Sequence, residues 1–222
     1  MGVWQEVRWL VRREAMQEWR QRAALNGLLL YVGGTVYVCY LSLGARGAVA
    51  VPFWNALFWI VLLFAALNAA QKSFGQETAG RLLYLHTLVA PESLILAKML
   101  YNAGLLLTLA VLGYGCFALV LGNPVGDAGL FGLVLLLGST GFAGTLTLLS
   151  GIAARTANAA TLLAVLAVPV LLPLLLLLLR VSKNALDGLD RSVSYSPLAS
   201  IGAINLIVVT LAVVLFPYLW RS

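Results

Sequence analysis

Charged residues divide the chain into six long apolar stretches. No Asp, Glu, Lys or Arg occurs within residues 23–45, 47–71, 99–126, 128–154, 156–179 or 192–220. Each stretch is long enough to cross roughly 30 Å of hydrocarbon, which takes about 20 apolar residues in a helix. The stretches lack the apolar and polar alternation of a barrel strand, and a helix pairs all its backbone groups internally. The pattern therefore predicts an all-α polytopic membrane protein.

Six transmembrane helices follow from these stretches. They are expected at 25–43, 53–70, 95–121, 129–153, 160–180 and 199–219. The connections on one side are short, at 44–51, 122–127 and 181–197, and the last has room for a short surface helix within 182–191. None of them can form a separate domain. Residues 1–222 are therefore expected to form a single transmembrane domain.

An amphipathic helix is predicted at residues 1–24, ahead of the first span. Apolar residues recur there at spacings of three and four, as in one helical stripe: Trp4, Val7, Val11, Ala15 and Trp19. Basic residues lie beside or opposite this stripe: Arg8, Arg12, Arg13 and Arg20. A basic helix with Trp on its apolar face is typical of a helix in the headgroup plane. Because Glu14 and Glu18 interrupt the stripe, contact with a protein partner explains it equally well.

The composition excludes a water-soluble protein. Apolar residues make up 62% of the chain and charged residues only 10%, and the mean hydropathy is +0.97. Soluble domains carry about 25% charged residues. No small-residue cleavage site follows the first apolar stretch, so we interpret that stretch as a retained span rather than a signal peptide.

The basic residues indicate the orientation of the spans. With six spans both termini share one side, and cytoplasmic loops carry the excess of Lys and Arg. The side of the termini holds ten basic residues: Arg8, Arg12, Arg13, Arg20, Arg22, Lys72, Arg81, Lys98, Arg155 and Arg221. The other side holds four: Arg46, Arg180, Lys183 and Arg191. We therefore expect both termini in the cytoplasm, and this bias explains the pI near 9.6 without nucleic acid.

The most informative hydrophilic segment is the predicted cytoplasmic connection at 71–93. Its middle, 81–89, has apolar residues at helical spacings and is compatible with a short helix that ends before Pro91. A short helix on the inner face would be a docking surface. An ordinary connecting loop is an equally good interpretation of this periodicity.

The sequence around this segment resembles a known family. The resemblance is carried by Phe74, Glu77, Gly80, Leu82, Leu83, Pro91, Lys98 and Asn102, by Pro169 and Pro173, and by the segment 183–189. Over essentially the whole chain, the sequence is similar to haem exporter protein B (CcmB). That family is the membrane permease subunit of the cytochrome c maturation ABC transporter, of the ABC-2 type.

The resemblance implies a permease of the bacterial inner membrane that supports haem export and cytochrome c biogenesis. It implies a cytosolic ABC ATPase as partner, together with the other membrane subunits of the maturation complex. The residues expected to couple to the ATPase are Phe74, Glu77, Gly80, Arg81, Leu82, Leu85 and Pro91. The three lysines of the chain all lack the preceding Gly of a phosphate loop. ATP would therefore be hydrolysed by the partner, and the chain is expected to be non-catalytic.

Few residues offer other chemistry. His86 is the single histidine and lies in the predicted cytoplasmic loop, which favours a structural or ATPase-contact role over haem ligation. Cys39 and Cys116 fall in separate spans, so neither a disulfide framework nor a metal site is predicted. We expect no directly bound cofactor, with haem a possible cargo.

The spans themselves contain features of packing and bending. Gly132, Gly138, Gly141 and Gly144 favour close helix contact in the fourth span. Pro169 and Pro173 are expected to kink the fifth. Three alternatives remain: an ABC-2 permease for another lipid or small molecule, a non-transporting scaffold, and an intramembrane enzyme. The enzyme is the weakest, since no catalytic cluster lies near the bilayer.

Overall fold

The computed structural model describes residues 3–20, 22–43, 49–75, 89–154, 156 and 158–221. Over these residues the secondary structure is entirely helical. The helices are α1 (Val3–Arg20), α2 (Arg22–Leu43), α3 (Val51–Gly75), α4 (Pro91–Leu121), α5 (Ala128–Ala153), α6 (Ala159–Leu186) and α7 (Tyr195–Arg221). A short 3₁₀ helix, Arg191–Ser194, precedes α7.

Five helices within the described ranges are long and apolar enough to cross a membrane. These segments are Val51–Lys72, Pro91–Leu121, Ala128–Ala153, Ala159–Leu186 and Arg191–Tyr218. They confirm the polytopic all-α fold and five of the predicted spans. The remaining predicted span falls on α2, whose described apolar part is the shorter segment Leu30–Leu41. A sixth crossing there stays a prediction.

Helix α5 occupies the centre of the bundle. It contacts α3, α4, α6 and α7, and its residues 141–151 are all buried. Small side chains in this stretch let the neighbouring backbones approach closely. Helix α4 contacts α1, α2, α3, α5 and α7. Two helices, α4 and α5, therefore link almost every part of the fold.

Consecutive spans run in opposite directions, so the bundle has two distinct ends. At the first, the hairpin end, residues 122–127 join α4 to α5 and residues 187–194 join α6 to α7. At the opposite end, the α1 end, α1 packs against the start of α4 and shares a buried cluster with residues in the last turns of α7. Both ends carry side-chain contacts that cross between helices.

The segment 181–197 is more regular than the sequence suggested. Helix α6 continues through it to Leu186 rather than ending at residue 180, because Val181, Ser182 and Ala185 are buried against the bundle. No separate surface helix forms within 182–191, although the sequence left room for one. That stretch forms the last turns of α6 and a tight turn leading to the 3₁₀ helix.

The turn after α6 is a Schellman-type cap. The Leu189 N–H donates to the Asn184 carbonyl at 3.0 Å, and Gly188 adopts a positive φ of 64°. The Ala185 carbonyl accepts instead from the backbone N–H groups of Gly126 and Asp127, at 3.2 and 2.8 Å. The end of α6 is thus bonded directly to the loop before α5.

Candidate functional site at the α1 end

The predicted coupling segment leads directly into α4. Pro91 is the first residue of this helix, and Ala90 before it is extended, at φ −65° and ψ 137°. Proline suits this position because its missing N–H would have no partner in the first turn. The residue that the sequence expected to end a loop helix therefore begins the longest span.

Most other predicted coupling residues cannot be located. Phe74 lies in the last turn of α3, although its side chain is not described. The remaining predicted contacts lie outside the described residues: Glu77, Gly80, Arg81, Leu82 and Leu85. His86 also lies outside them. Their role in coupling stays a prediction.

A buried ion pair joins α1 to the second turn of α4. Lys98 Nζ lies 3.4 Å from Glu14 Oε1, and the two side chains are 2% and 18% exposed. A buried ammonium group is costly unless a counter-charge accompanies it. Glu14 contributes such a charge, so the ion pair ties α1 to α4 just beyond the coupling segment.

Apolar contacts surround this ion pair. Val7 and Leu10 of α1 are each only 1% exposed. They belong to a separate buried cluster that includes Leu94, Ile95, Ala97, Met99, Leu148, Ala212 and Phe216. This cluster joins α1 to the start of α4 and also includes residues of α5 and α7.

The side of α1 that packs against the bundle coincides only partly with the apolar stripe that the sequence predicts. Val7 is buried and Val11 half-buried as predicted, but Trp4 and Ala15 are exposed, and the side chain of Trp19 is not described. The contact surface instead follows Val7, Leu10 and Glu14. The Glu that seemed to interrupt the stripe is part of the docking face, because it meets Lys98.

Deeper in the same half of the bundle, polar side chains connect α4, α5 and α3. Asn102 Nδ2 donates to Thr147 Oγ1 at 2.8 Å, and Ser150 Oγ donates to the Ala70 carbonyl at 2.8 Å. Both contacts are buried. Hydroxyl and amide groups commonly join helices inside membrane bundles, and these residues do so here. A displacement of α4 would therefore reach α5 and α3.

The half nearer the hairpin end is packed around two tryptophans. Trp59 Nε1–H donates to Ser182 Oγ at 2.8 Å, and its ring lies against Gly138. A Cβ on Gly138 would lie 2.6 Å from Cη2 of that ring. Asn55 Nδ2 adds a bond of 2.9 Å to the Leu179 carbonyl. Helices α3, α5 and α6 are thereby held together.

The second tryptophan, Trp54, anchors an aromatic cluster. Its ring stacks on Phe58 at 5.5 Å between centroids and meets Phe117 edge-on at 5.4 Å. Phe131 and Tyr114 complete the cluster. The Trp54 Nε1–H also donates to the Gly122 carbonyl at 3.2 Å. Aromatic pairs of this geometry stabilise α3, α4 and α5 beyond their burial.

A surface ion pair closes the hairpin end. Arg191 donates to Asp127 through Nε and Nη2, at 2.6 and 2.9 Å. Asp127 also caps α5 by accepting from the Leu130 N–H at 3.0 Å. The Arg191 guanidinium and this cap lower the pKa of Asp127 to about 2. The carboxylate therefore stays charged at physiological pH.

The glycines of α5 differ in their roles. Gly138, Gly141 and Gly144 face neighbouring side chains, which confirms the predicted close packing at these three positions. Gly132 has no heavy atom within 4 Å of where its Cβ would lie and is exposed. Its predicted packing role is therefore wrong.

Pro169 and Pro173 lie inside the uninterrupted helix α6, on its exposed face. The missing N–H groups leave the carbonyls of Val165 and Pro169 without their usual helical donors. The kink itself stays a prediction.

The described side chains form a continuous set of contacts from the start of α4 into the bundle. Among them, no group of three or more His, Cys, Asp or Glu is placed to hold a metal ion. What they do form is a connected route from Pro91 through Lys98 and Asn102 into the centre of the bundle.

The comparisons with known proteins agree with a transport role. The chain matches no curated protein. The family described as CcmB protein matches residues 5–217, from α1 to the last turns of α7. That match covers nearly the whole chain, including both ends of the bundle. The chain belongs to the CcmB family and is a membrane permease subunit of the haem-exporter and cytochrome c maturation ABC transporter class.

Proposed function

We propose that this chain converts ATP binding and hydrolysis on a separate cytosolic ATPase into a rearrangement of its spans. This rearrangement of the spans would drive haem delivery, or the release of a haem-loaded chaperone, during cytochrome c maturation. The single observation that carries the proposal is the course of α4, which begins at Pro91 beside the coupling segment and enters the core.

Helix α4 is suited to transmit force. Its 31 residues extend about 46 Å at the usual rise of 1.5 Å per residue. A helix of this length moves as a stiff rod, so a push at its first turn reaches Lys98 and Asn102 together. Those residues contact Glu14 of α1 and Thr147 of α5. The ATPase stroke would thus move α1 and the centre of the bundle with α4.

The same proposal includes the location, the orientation and the partners of the chain. The chain would lie in the bacterial inner membrane with both termini and the 71–93 segment in the cytoplasm. It would be non-catalytic, with ATP hydrolysed by its partner, and it would meet the other membrane subunits of the maturation complex. Haem is the proposed cargo of that complex.

A capture experiment tests the coupling. A tagged copy is purified from a strain lacking the chromosomal gene, and the ATPase activity of the captured complex is measured. We expect wild type to capture an ABC ATPase, and Glu77→Gln or Gly80→Leu to reduce ATP turnover without lowering the amount of chain. Arg180→Gln, an exposed change in α6 towards the hairpin end, is the control. Failure to capture any ATPase would refute the proposal.

A second experiment tests the cargo. Haem-stained c-type cytochromes are compared between the deletion strain and the strain that carries the restored gene. The proposal requires their loss on deletion and their recovery with wild type but not with Glu77→Gln. Normal cytochromes in the deletion strain would favour an ABC-2 permease for another lipid or small molecule.

A further inference from the structure

Helix α1 has a second face that is exposed within the part of the chain that the structure describes. Arg8 and Arg12 are exposed there, one helical turn apart. Trp4, 75% exposed, and Trp9, 59% exposed, flank them on either side. These large side chains are therefore not part of the packed core.

The charge of this face is uniformly positive among the described side chains. The two acidic side chains described in α1, Glu6 and Glu14, are only partly exposed and lie towards the bundle. At 100° per residue, Arg8 and Arg12 lie more than 100° away from both of them around the helix. An anion approaching the outward face would meet guanidinium groups without an intervening carboxylate.

The depth of α1 relative to the spans is set by its contacts. Val7 and Leu10 share a cluster with Leu94 at the start of α4 and Phe216 near the end of α7. These positions are in the terminal turns of helices long enough to cross the bilayer. Helix α1 therefore lies where the spans leave the hydrocarbon, at the level of the phospholipid headgroups.

We propose that the outward face of α1, consisting of Trp4, Arg8, Trp9 and Arg12, binds anionic phospholipid headgroups of the adjacent leaflet. Arginine donates paired hydrogen bonds to phosphate oxygens. Tryptophan favours the boundary between headgroups and acyl chains. The membrane surface fits this face better than a protein groove does, because the charge, the aromatic flanks and the depth all match it.

Lipid binding at the outward face of α1 would affect the coupling between the ATPase and the spans. The opposite face of α1 holds Lys98 of α4 through Glu14. A headgroup bound by Arg8 and Arg12 would therefore restrain α4 just beyond the coupling segment. The inference extends the proposed function without depending on it, because lipid binding can be measured on the purified chain alone.

The test compares lipid retention by the full chain in detergent. Phosphatidylglycerol or phosphatidylcholine is titrated in, and bound lipid is counted by native mass spectrometry. We expect wild type to prefer phosphatidylglycerol. The double variant Arg8→Gln/Arg12→Gln should reduce that preference by about thirtyfold, since one basic group near an anionic surface contributes about fivefold.

A matched control removes the same charge elsewhere. Arg180→Gln/Lys183→Gln changes two exposed basic residues of α6 towards the hairpin end and should keep the wild-type preference. The substituted arginines of α1 are exposed, so the buried face is intact, and an unchanged thermal midpoint verifies folding. A second variant, Trp4→Ala/Trp9→Ala, should lower retention of both lipids alike.

Three results would overturn the proposal. The first is that the Arg8→Gln/Arg12→Gln variant keeps the wild-type preference for phosphatidylglycerol. The second is that the Arg180→Gln/Lys183→Gln control loses this preference equally. The third is that the Arg8→Gln/Arg12→Gln variant retains lipid as wild type does but no longer captures the ATPase. That result would assign this face to the ATPase instead.

Discussion

Replacing Gly138 by alanine tests whether the hairpin half of the bundle is as tightly packed as its contacts imply. The new Cβ would lie 2.6 and 2.7 Å from Cη2 and Cζ3 of Trp59, and 3.1 Å from Cδ2 of Leu178. Ordinary carbon contacts are about 3.5–4.0 Å. The Trp59 ring would therefore have to move by about 1 Å.

The ring has little freedom to move. Trp59 is 1% exposed, donates to Ser182 at 2.8 Å, and meets Phe58 and Phe142 edge-on. Overpacking costs about 1–3 kcal/mol, and losing the hydrogen bond costs about 1 kcal/mol more. Alanine regains up to about 1 kcal/mol of helix propensity. We expect Gly138→Ala to lower the free energy of unfolding by about 1–3 kcal/mol.

The assay uses thermal unfolding in detergent, followed by a thiol-reactive dye that labels Cys39 and Cys116 as they become exposed. Both cysteines are free and partly buried. Gly132→Ala is the matched control in the same helix, because its Cβ meets nothing within 4 Å, and it should be neutral or slightly stabilising. Equal midpoints for the two variants would refute the argument.

A double-mutant cycle identifies the cause of the effect. Trp59→Phe removes the indole atoms that Gly138→Ala would meet. If the clash is responsible, the alanine should cost at least about 1 kcal/mol less in the Trp59→Phe background. Additive effects would show that the destabilisation has another origin.

Three further changes probe the two ends of the bundle. Glu14→Gln should lower stability by about 1–3 kcal/mol because the buried Lys98 loses its ion pair with Glu14. Glu14→Leu/Lys98→Met should recover most of this loss. Thermal midpoints measure both variants, and an equal loss in the double variant would contradict this expectation. Gly126→Ala should destabilise by at least about 1–3 kcal/mol, since its Cβ would lie 2.9 Å from the Gly188 backbone; a wild-type midpoint would contradict this close approach. Asp127→Asn should lower the midpoint at neutral pH. Because folding lowers the pKa of Asp127 from 3.8 to about 2, its contribution is complete above about pH 4. The difference in thermal midpoint between Asp127→Asn and wild type should shrink as the pH falls towards 2. A difference that stays constant with pH would refute the assignment of this effect to the Asp127 carboxylate.

The spans could be predicted from sequence because charge is expensive in hydrocarbon. Five of them lie where the gaps between charges placed them. Their ends could not be predicted equally well, because a helix continues for as long as it has contacts. Helix α6 passes Arg180 and ends at Leu186, where Gly188 permits the cap. Periodicity within a single segment does not contain that information.

The candidate site was harder to predict because its key contact is distant in sequence. Glu14 and Lys98 are 84 positions apart, and each looked unremarkable alone. Glu14 interrupted an apolar stripe, and Lys98 stood near a span boundary. A useful signal was available in the spacing of Val7, Leu10 and Glu14, which follows one side of a helix. That spacing identifies the docking face of α1 only when the buried Lys98 is known to lie opposite Glu14.

The contacts divide the bundle into a braced half and a half joined to the coupling segment. Trp59 and the Asp127 loop brace the hairpin half, whereas α4 and α1 connect the other half to Pro91. On α6, Leu174 lies against Gly141 of α5. Pro173 immediately precedes it on the α1 side, and Pro169 lies one turn further. Prolines free carbonyls and soften a helix where they occur. The apolar side of α6 stays packed in the core beyond this point through Leu163, Ala167 and Leu171. A stroke passed from α4 through α5 would therefore bend α6 at these prolines because its internal hydrogen bonds are missing there.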